Sequence, residues 1–292
     1  MNILIQPFNR ETAASKNTVL LLRDLLHEKT GVFFEDTHLD LMLGKLQPLA
    51  AARGLHSAFE YFAFLKQHSQ FSEEWRRVLD ALAVQETYFW REMDSISTIV
   101  NVLVPQWFAS SPEPLRIWVA ACATGEEPLS LLIALAEAGH GHHPISIVAS
   151  DASEAALEKA RTGIYRERSF RSLPPALRAK YFKARGDHWQ VAPELLGRVR
   201  FERANLVAHA ETSELARSPI ILCRNVFIYF SQEAVRRTVR NFAGYMPAGG
   251  HLFVGAAESL LKLTADFELR EVGGAFVYVR KPQLAPFPGP KI

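Results

Sequence analysis

An α/β fold is predicted by two features of the sequence: short β-rich runs that alternate with helix-length segments from Leu115 onward, and a purely helical periodicity before them. The expected architecture is a doubly wound, mostly parallel sheet with a small N-terminal helical domain in front and a small inserted β subdomain within it. A length of 292 residues suits two domains, and 48% hydrophobic against 22% charged residues describes a chain that buries a core, which excludes disorder as its main state. The expected division is 18–84 for the helical domain and 85–281 for the α/β domain. The insert falls at about 165–203, and the tail 282–292, with four prolines in eleven residues, reads as disordered.

In the first region Leu20, Leu21, Leu25, Leu26, then Leu39, Leu41, Met42, Leu46 and Leu49, then Phe59, Phe62 and Leu65 recur at helical spacings. Gly31, Pro48 and Gly54 punctuate the series. Trp75 to Val84 is a further amphipathic helix. After the link Gln85 to Glu92, Arg116 to Ala121 reads as a strand, Pro128 to Ala138 as a helix, and Ile145 to Ala149 as a second strand stopping at Asp151. Ser153 N-caps the next helix, which runs to Arg161. Pro219 to Cys223 is a strand, Gln232 to Tyr245 a helix, and His251 to Ala256 and Ala275 to Arg280 are strands. Between Gly163 and Asn205 the alternation lapses, and that stretch is assigned to the insert. Ligands of such sheets bind at the carboxyl ends of the strands.

Lys and Arg number 33 against 31 Asp and Glu, a net charge of +2, so charge announces no nucleic-acid partner. Two cysteines, Cys122 and Cys223, are too few for a disulfide framework, which points to a reducing cytoplasm. Met1 to Lys16 lack the basic start and apolar middle of a signal peptide. The most apolar stretches, 220–230 and 251–257, are short or interrupted by Arg224, so no membrane insertion is expected.

Three segments carry chemistry. The turn Ala121-Cys122-Ala123-Thr124-Gly125-Glu126-Glu127-Pro128 is not GxGxxG, and its two glutamates would repel a pyrophosphate. It suits a ligand with a positive charge and no phosphates, properties that S-adenosylmethionine combines, although the same glutamates would also favour the helix dipole. Asp151, at a strand end, can accept both ribose hydroxyls of an adenosine, or it can form an Asx turn ahead of Ser153. In Cys223-Arg224-Asn225-Val226-Phe227-Ile228-Tyr229-Phe230, Arg and Asn follow an apolar strand at once and Tyr229 looks buried. Polar groups there are costly unless paired or bound, and a pair between Arg224 and Glu127 is the structural option.

The segments ACATGEEPLS, ASD with LEKARTGIY, ERANL, LCRNVFIYF and PAGGHLFVGAAESL, together with QETYFWRE, resemble the chemotaxis receptor methyltransferases of the CheR family, in that family's order, from about residue 18 to 280. The resemblance implies a class I methyltransferase-like fold. It also implies an enzyme that moves the methyl group of S-adenosylmethionine to glutamate γ-carboxylates on the cytoplasmic helices of a methyl-accepting chemoreceptor, leaving S-adenosylhomocysteine. On the matching positions, Gln85, Thr87 and Arg91 would close over the methionine end of the cofactor, and Glu127 would meet its amino group. Asp151 would hold the ribose, Asn205 and Leu206 the adenine, and Arg224 and Asn225 the cofactor wall. Arg91 and Tyr229 would lie nearest the transferred methyl as the catalytic residues. No metal site is implied.

The chain departs from the family pattern at Gln85, usually Asn, at Trp90, usually Phe, and at Ser218, often Asp. The helix from about Leu39 to Arg53 offers only Lys45 and Arg53 where similar proteins carry several arginines, and the insert lacks a paired-glycine loop, so tethering to a receptor's terminal peptide is not expected. Two rival functions remain: a non-catalytic S-adenosylmethionine-sensing module, or a methyltransferase of the same fold with another substrate. His140, His142 and His143 read as a solvated turn without a partner acid, and Trp107, Trp118 and Trp189 read as packing.

Overall fold

The computed structural model describes residues 13–282. The readings of Met1 to Lys16 as free of an export signal and of 282–292 as a disordered tail fall almost wholly outside the described residues. Four helices come first: α1 (Ala13–Thr30), α2 (Leu39–Ala51), α3 (Ala58–Gln67) and α4 (Glu73–Leu82). They pack around Leu22, Leu26, Met42, Leu46, Tyr61, Leu65 and Trp75, the three- and four-residue positions that face inward. Ser57 and Glu60 form a capping box on α3, and the Ser72 side chain caps α4. Pro48 does not end α2. It removes one donor, but Leu46 and Ala50 on either side of it are fully buried and hold the last turn in place.

The helix α5 (Met93–Thr98) runs through a π-helical turn, Ile99–Leu103, into α6 (Val104–Ser110). Then follow β1 (Leu115–Ala120), α7 (Glu126–Glu137), β2 (Ile145–Asp151) and α8 (Glu154–Thr162). The insert is β3 (Ile164–Arg166), α9 (Pro175–Tyr181), β4 (Phe182–Arg185) and β5 (His188–Val191), an antiparallel sheet ordered β3-β5-β4. The chain closes with α10 (Pro193–Leu196), β6 (Val199–Arg203), α11 (His209–Thr212), β7 (Ile220–Cys223), α12 (Gln232–Tyr245), β8 (His251–Phe253), β9 (Phe267–Val272) and β10 (Ala275–Arg280).

The seven-stranded sheet is ordered β6-β2-β1-β7-β8-β10-β9, with β6 to β8 parallel and the last two strands antiparallel. The order of strands reverses between the parallel neighbours β1 and β7, where Ala120 stands opposite Cys223. That is the position at which sheets of this kind open a crevice for ligands. Apolar side chains cover both faces, which explains why β1, β2 and β7 read as continuous apolar runs.

Three expectations need correction. The strand Val199–Arg203, assigned above to the insert, pairs in parallel with β2 as the outer strand of the main sheet, so the small sheet ends at Val191. The strand expected over 251–256 stops at Phe253, because Gly255 peels away to donate to the Glu258 carboxylate at 2.6 Å. β9 was not anticipated; as an edge strand it buries only one face, and its alternation of Phe267 and Leu269 with charged residues is short.

Candidate active site

Every site residue after Arg91 leaves the carboxyl end of a parallel strand, the turn that follows it or, for Glu127, the first turn of the next helix. The backbone there is unusual. The positive-φ residues other than glycine among those described are Trp90, Glu92, Ala121, Ala123 and Asn225, and all five belong to the three segments that meet at the crevice. A left-handed residue with a side chain costs about 1 kcal/mol or more, so strain is concentrated where the fold meets a ligand. Gly125 (φ 91°) allows the turn after β1 to press against α8 and the insert: a Cβ there would lie 3.0 Å from the Ala160 Cβ of α8 and 3.2 Å from the Tyr165 hydroxyl of β3.

Two adjoining cavities open on this crest. The smaller, a recess of about 40 Å³, is lined by Thr87, Tyr88, Arg91, Glu127, Arg224 and Asn225. Arg224 is its fixed point, with a side chain only 1% exposed. Its Nη1 donates to Glu127 at 2.6 Å, and its Nη2 donates to the Glu92 carboxylate at 3.0 Å and to the carbonyls of Arg91 and Glu92 at 3.1 Å. Its buried Nε has no partner. Burial pushes the Glu127 carboxyl above its ordinary value despite Arg224.

The larger cavity, a cleft of about 480 Å³, lies between the helical bundle and the sheet and has the size of a small-molecule site. Asp151, Asn205, Leu206 and Tyr229 line it, opposite Phe33 and Leu41 of the bundle. Asp151 accepts the Ala123 and Ser153 N–H groups at 2.9 Å, so it forms the Asx turn and fastens the turn after β1 as well; burial raises its pKa. Asn205 is buried and donates through Nδ2 to the Lys29 carbonyl of α1 at 2.7 Å, while its N–H meets Glu211 at 2.8 Å. Ala121, Ala123 and Asn225 border both cavities, which makes the crevice continuous.

Of the residues singled out from the sequence, Thr87, Arg91, Glu127, Arg224 and Asn225 line the recess, and Asp151, Asn205, Leu206, Asn225 and Tyr229 line the cleft. Gln85 lines neither; its side-chain amide oxygen accepts from Lys159 on α8 at 2.8 Å. Tyr229, read as buried, is 37% exposed, because the 3₁₀ turn Phe227–Tyr229 buries Phe227 and turns its neighbours to the cleft mouth. Glu126 lines neither cavity and is held by Thr124 at 2.6 Å and by Ser169 of the insert at 2.9 Å. Phe89 of QETYFWRE enters the insert's aromatic core, with ring centroids 4.8 to 5.2 Å from Tyr165, Phe170 and Phe182. Cys122 and Cys223 are buried, and burial raises both thiols well above the ordinary value, so neither is a ready nucleophile.

Sequence reasoning missed Glu92, which sits within QETYFWRE, and Glu258, which accepts the Asn225 and Gly255 N–H groups and thereby fixes the turn after β7. Both acids stand inside segments already singled out, QETYFWRE and PAGGHLFVGAAESL, which was the available signal. Among the described residues no group of three or more His, Cys, Asp or Glu is placed to hold a metal, and no helix is long and apolar enough to cross a membrane. His140 and His142 each lie tilted against His143, and His143 stacks on Phe108.

An adenosyl sulfonium with an amino-acid arm fits these groups. The cleft offers an apolar floor with one acid at a strand end, and the recess offers a carboxylate, two arginines and an orphaned buried donor. The sheet order and this crevice define a class I methyltransferase that uses S-adenosylmethionine. Residues 85–275 match the family described as CheR methyltransferase, SAM binding domain, and residues 19–83 the CheR methyltransferase, all-alpha domain; the chain belongs to the CheR methyltransferase family. It is 34% identical over 256 residues to chemotaxis protein methyltransferase 2 of Vibrio cholerae, covering 85% of this chain and 87% of that protein. It is also 32% identical to the chemotaxis protein methyltransferase of Escherichia coli (85% and 86%) and 30% identical to chemotaxis protein methyltransferase 1 of Pseudomonas aeruginosa (89% and 97%).

Proposed function

We propose that the protein methylates glutamate γ-carboxylates on the cytoplasmic helices of methyl-accepting chemoreceptors, working in the cytoplasm. The observation that carries this reading is the pairing of the recess, with Arg224 fixed between two carboxylates, to a cleft whose mouth presents Tyr229 beside the helical bundle. Within it, residues 18–84 act as a receptor-facing helical domain and 85–281 as the methyltransferase domain. Asp151 takes the ribose hydroxyls, Asn205 and Leu206 flank the adenine, Glu127 meets the ammonium, and Thr87 and Arg91 meet the carboxylate of the amino-acid arm. Arg224 and Asn225 form the wall between. Gln85 is left out, since Lys159 engages it.

Bound S-adenosylmethionine supplies an electrophilic methyl on a cationic sulfur. A glutamate side chain, with a pKa of about 4.3, is already ionised at neutral pH, so no residue here needs to act as a general base. The protein's part is placement, which contributes up to ~7–11 kcal/mol when reacting atoms are held in line. Charge is lost as the methyl moves, so an apolar mouth formed by Phe33, Leu41 and Ile228 favours the transition state by excluding water. Arg91 is tied to the Glu86 carbonyl at 3.3 Å and lies 3.7 Å from Glu92. That restraint keeps it from clamping the attacking carboxylate, a grip that would stabilise the ground state more than the transition state.

Incubation with methyl-labelled S-adenosylmethionine and receptor cytoplasmic fragments tests the assignment. Base-labile methyl ester on the receptor is the expected product. Cofactor binding without any ester would instead make the protein a sensing module.

A further inference from the structure

We propose that Glu92 is a positioning residue for the ammonium of the S-adenosylmethionine amino-acid arm: by sharing Arg224 with Glu127, it leaves Glu127 with charge to offer the ligand. The proposal rests on the assignment of Glu127 to that ammonium.

A buried arginine needs one carboxylate to balance it. Arg224 has two, Glu127 on its Nη1 at 2.6 Å and Glu92 on its Nη2 at 3.0 Å. With Glu127 alone, the pair would be neutral and the Glu127 oxygens would present little potential to a cation in the recess. With Glu92 the three groups carry a net negative charge, and the shortage is felt at the recess, where the Glu127 side chain is only 16% exposed. Arg91, the other cation near Glu92, stands off at 3.7 Å and is itself partly exposed, so it offsets this charge less than Arg224 does.

The local backbone shows that this placement is not a by-product of helix formation. Glu92 immediately precedes α5 and makes no capping bond to it. It adopts a left-handed conformation, φ 47°, and its side chain turns toward Arg224, Asn225 Nδ2 at 3.2 Å and the Ala256 N–H at 3.3 Å. A strained residue whose side chain reaches an arginine far away in the chain points to a role at that arginine. Burial alone would raise the Glu92 carboxyl, and Arg224 and Asn225 hold it below its ordinary value, so it stays charged.

The test compares two thioether ligands by calorimetry: 5′-methylthioadenosine, which has no amino-acid arm, and its analogue with an aminopropyl arm, which keeps the ammonium and lacks the carboxylate. In Glu92→Gln the aminopropyl ligand should bind about tenfold more weakly, while 5′-methylthioadenosine stays within about twofold of the wild type. Equal losses for both ligands would make Glu92 merely structural and overturn the proposal, and unchanged binding of both would also overturn it. Glu127→Gln is the companion variant. If it leaves the ratio of the two affinities unchanged, the Glu127 assignment itself fails; if it lowers the ratio while Glu92→Gln does not, only the proposal about Glu92 fails. Binding of 5′-methylthioadenosine reports that each variant is folded, and Glu92→Ala replaces Glu92→Gln if the latter does not fold.

Discussion

The Asp80 carboxylate, one turn from the end of α4, accepts a hydrogen bond from the Ser153 hydroxyl at 2.7 Å, and the same oxygen accepts from the Ala155 N–H at 3.1 Å. Ser153 meanwhile accepts from Ala156, so the N-terminus of α8 is capped twice, once by its own residue and once by the helical bundle. This double cap stands two residues beyond Asp151.

Replacing Asp80 by alanine should cost about 1–2 kcal/mol of stability. Because the Ser153 N–H is also one of the two donors that hold Asp151, affinity for S-adenosylhomocysteine should fall several-fold in addition. Thermal unfolding and calorimetry on one preparation separate the effects; a lowered melting temperature with intact affinity would confine Asp80 to stability.

Asp151→Ala should weaken S-adenosylhomocysteine binding by about tenfold or more, since hydrogen bonds to a charged acceptor contribute about 1.5–3 kcal/mol each. Tyr229→Phe should bind the same ligand within about twofold of the wild type and transfer methyl more slowly. Unchanged affinity in Asp151→Ala would remove the ribose assignment, and an unaltered turnover in Tyr229→Phe would reduce that side chain to packing.

Glu126 is buried with two hydroxyl donors, and burial raises its pKa above the ordinary 4.5 although those hydrogen bonds and the Arg171 charge act against it. The stability it contributes is therefore present at pH values below 4.5 and is lost as pH rises through the elevated pKa. Glu126→Gln should lie close to the wild type in acid and become relatively more stable as pH climbs toward neutrality. A stability difference that is flat between pH 4.5 and 8 would contradict this.

Both cations of the arginine-poor helix and its end are engaged internally. Lys45 donates to the Ala81 carbonyl at 3.0 Å, and Arg53 meets Glu74, 3% exposed, at 2.7 Å. Arg53→Ala should thus lower stability by about 1–3 kcal/mol by leaving the buried Glu74 charge with the Tyr61 hydroxyl but no cation, without a specific effect on receptor affinity. Leu41→Glu, at a side chain 55% exposed on the cleft rim, should raise the KM for receptor fragments while leaving S-adenosylhomocysteine affinity unchanged. Steady-state kinetics on both variants shows which residue faces the receptor.

The apolar runs that became β1, β2 and β7, and the polar residues directly after them, were visible because a strand end and a turn are neighbours in sequence. Asp151, Arg224 and Glu127 could therefore be found locally. Their partners could not: Glu92 lies 132 residues from Arg224, and Asp80 lies 73 from Ser153. Spacing encodes periodicity but not which distant segments close on one another. Tyr229 shows the same limit, since a single 3₁₀ turn reverses which of three adjacent apolar residues is covered. The edge position of β6 likewise depends on pairing with β2, and Val199 to Phe201 carries no mark of it.

Asn205 is fastened to the Lys29 carbonyl, and Val32 forms a bridge to Phe230 at the end of the segment carrying Arg224, so the cleft proposed for the adenosine belongs to both halves of the chain. A chimera that transplants a foreign bundle must therefore carry a matching Lys29–Val32 corner with it. Without that corner the graft would change two properties at once, the choice of target and the grip on the methyl donor.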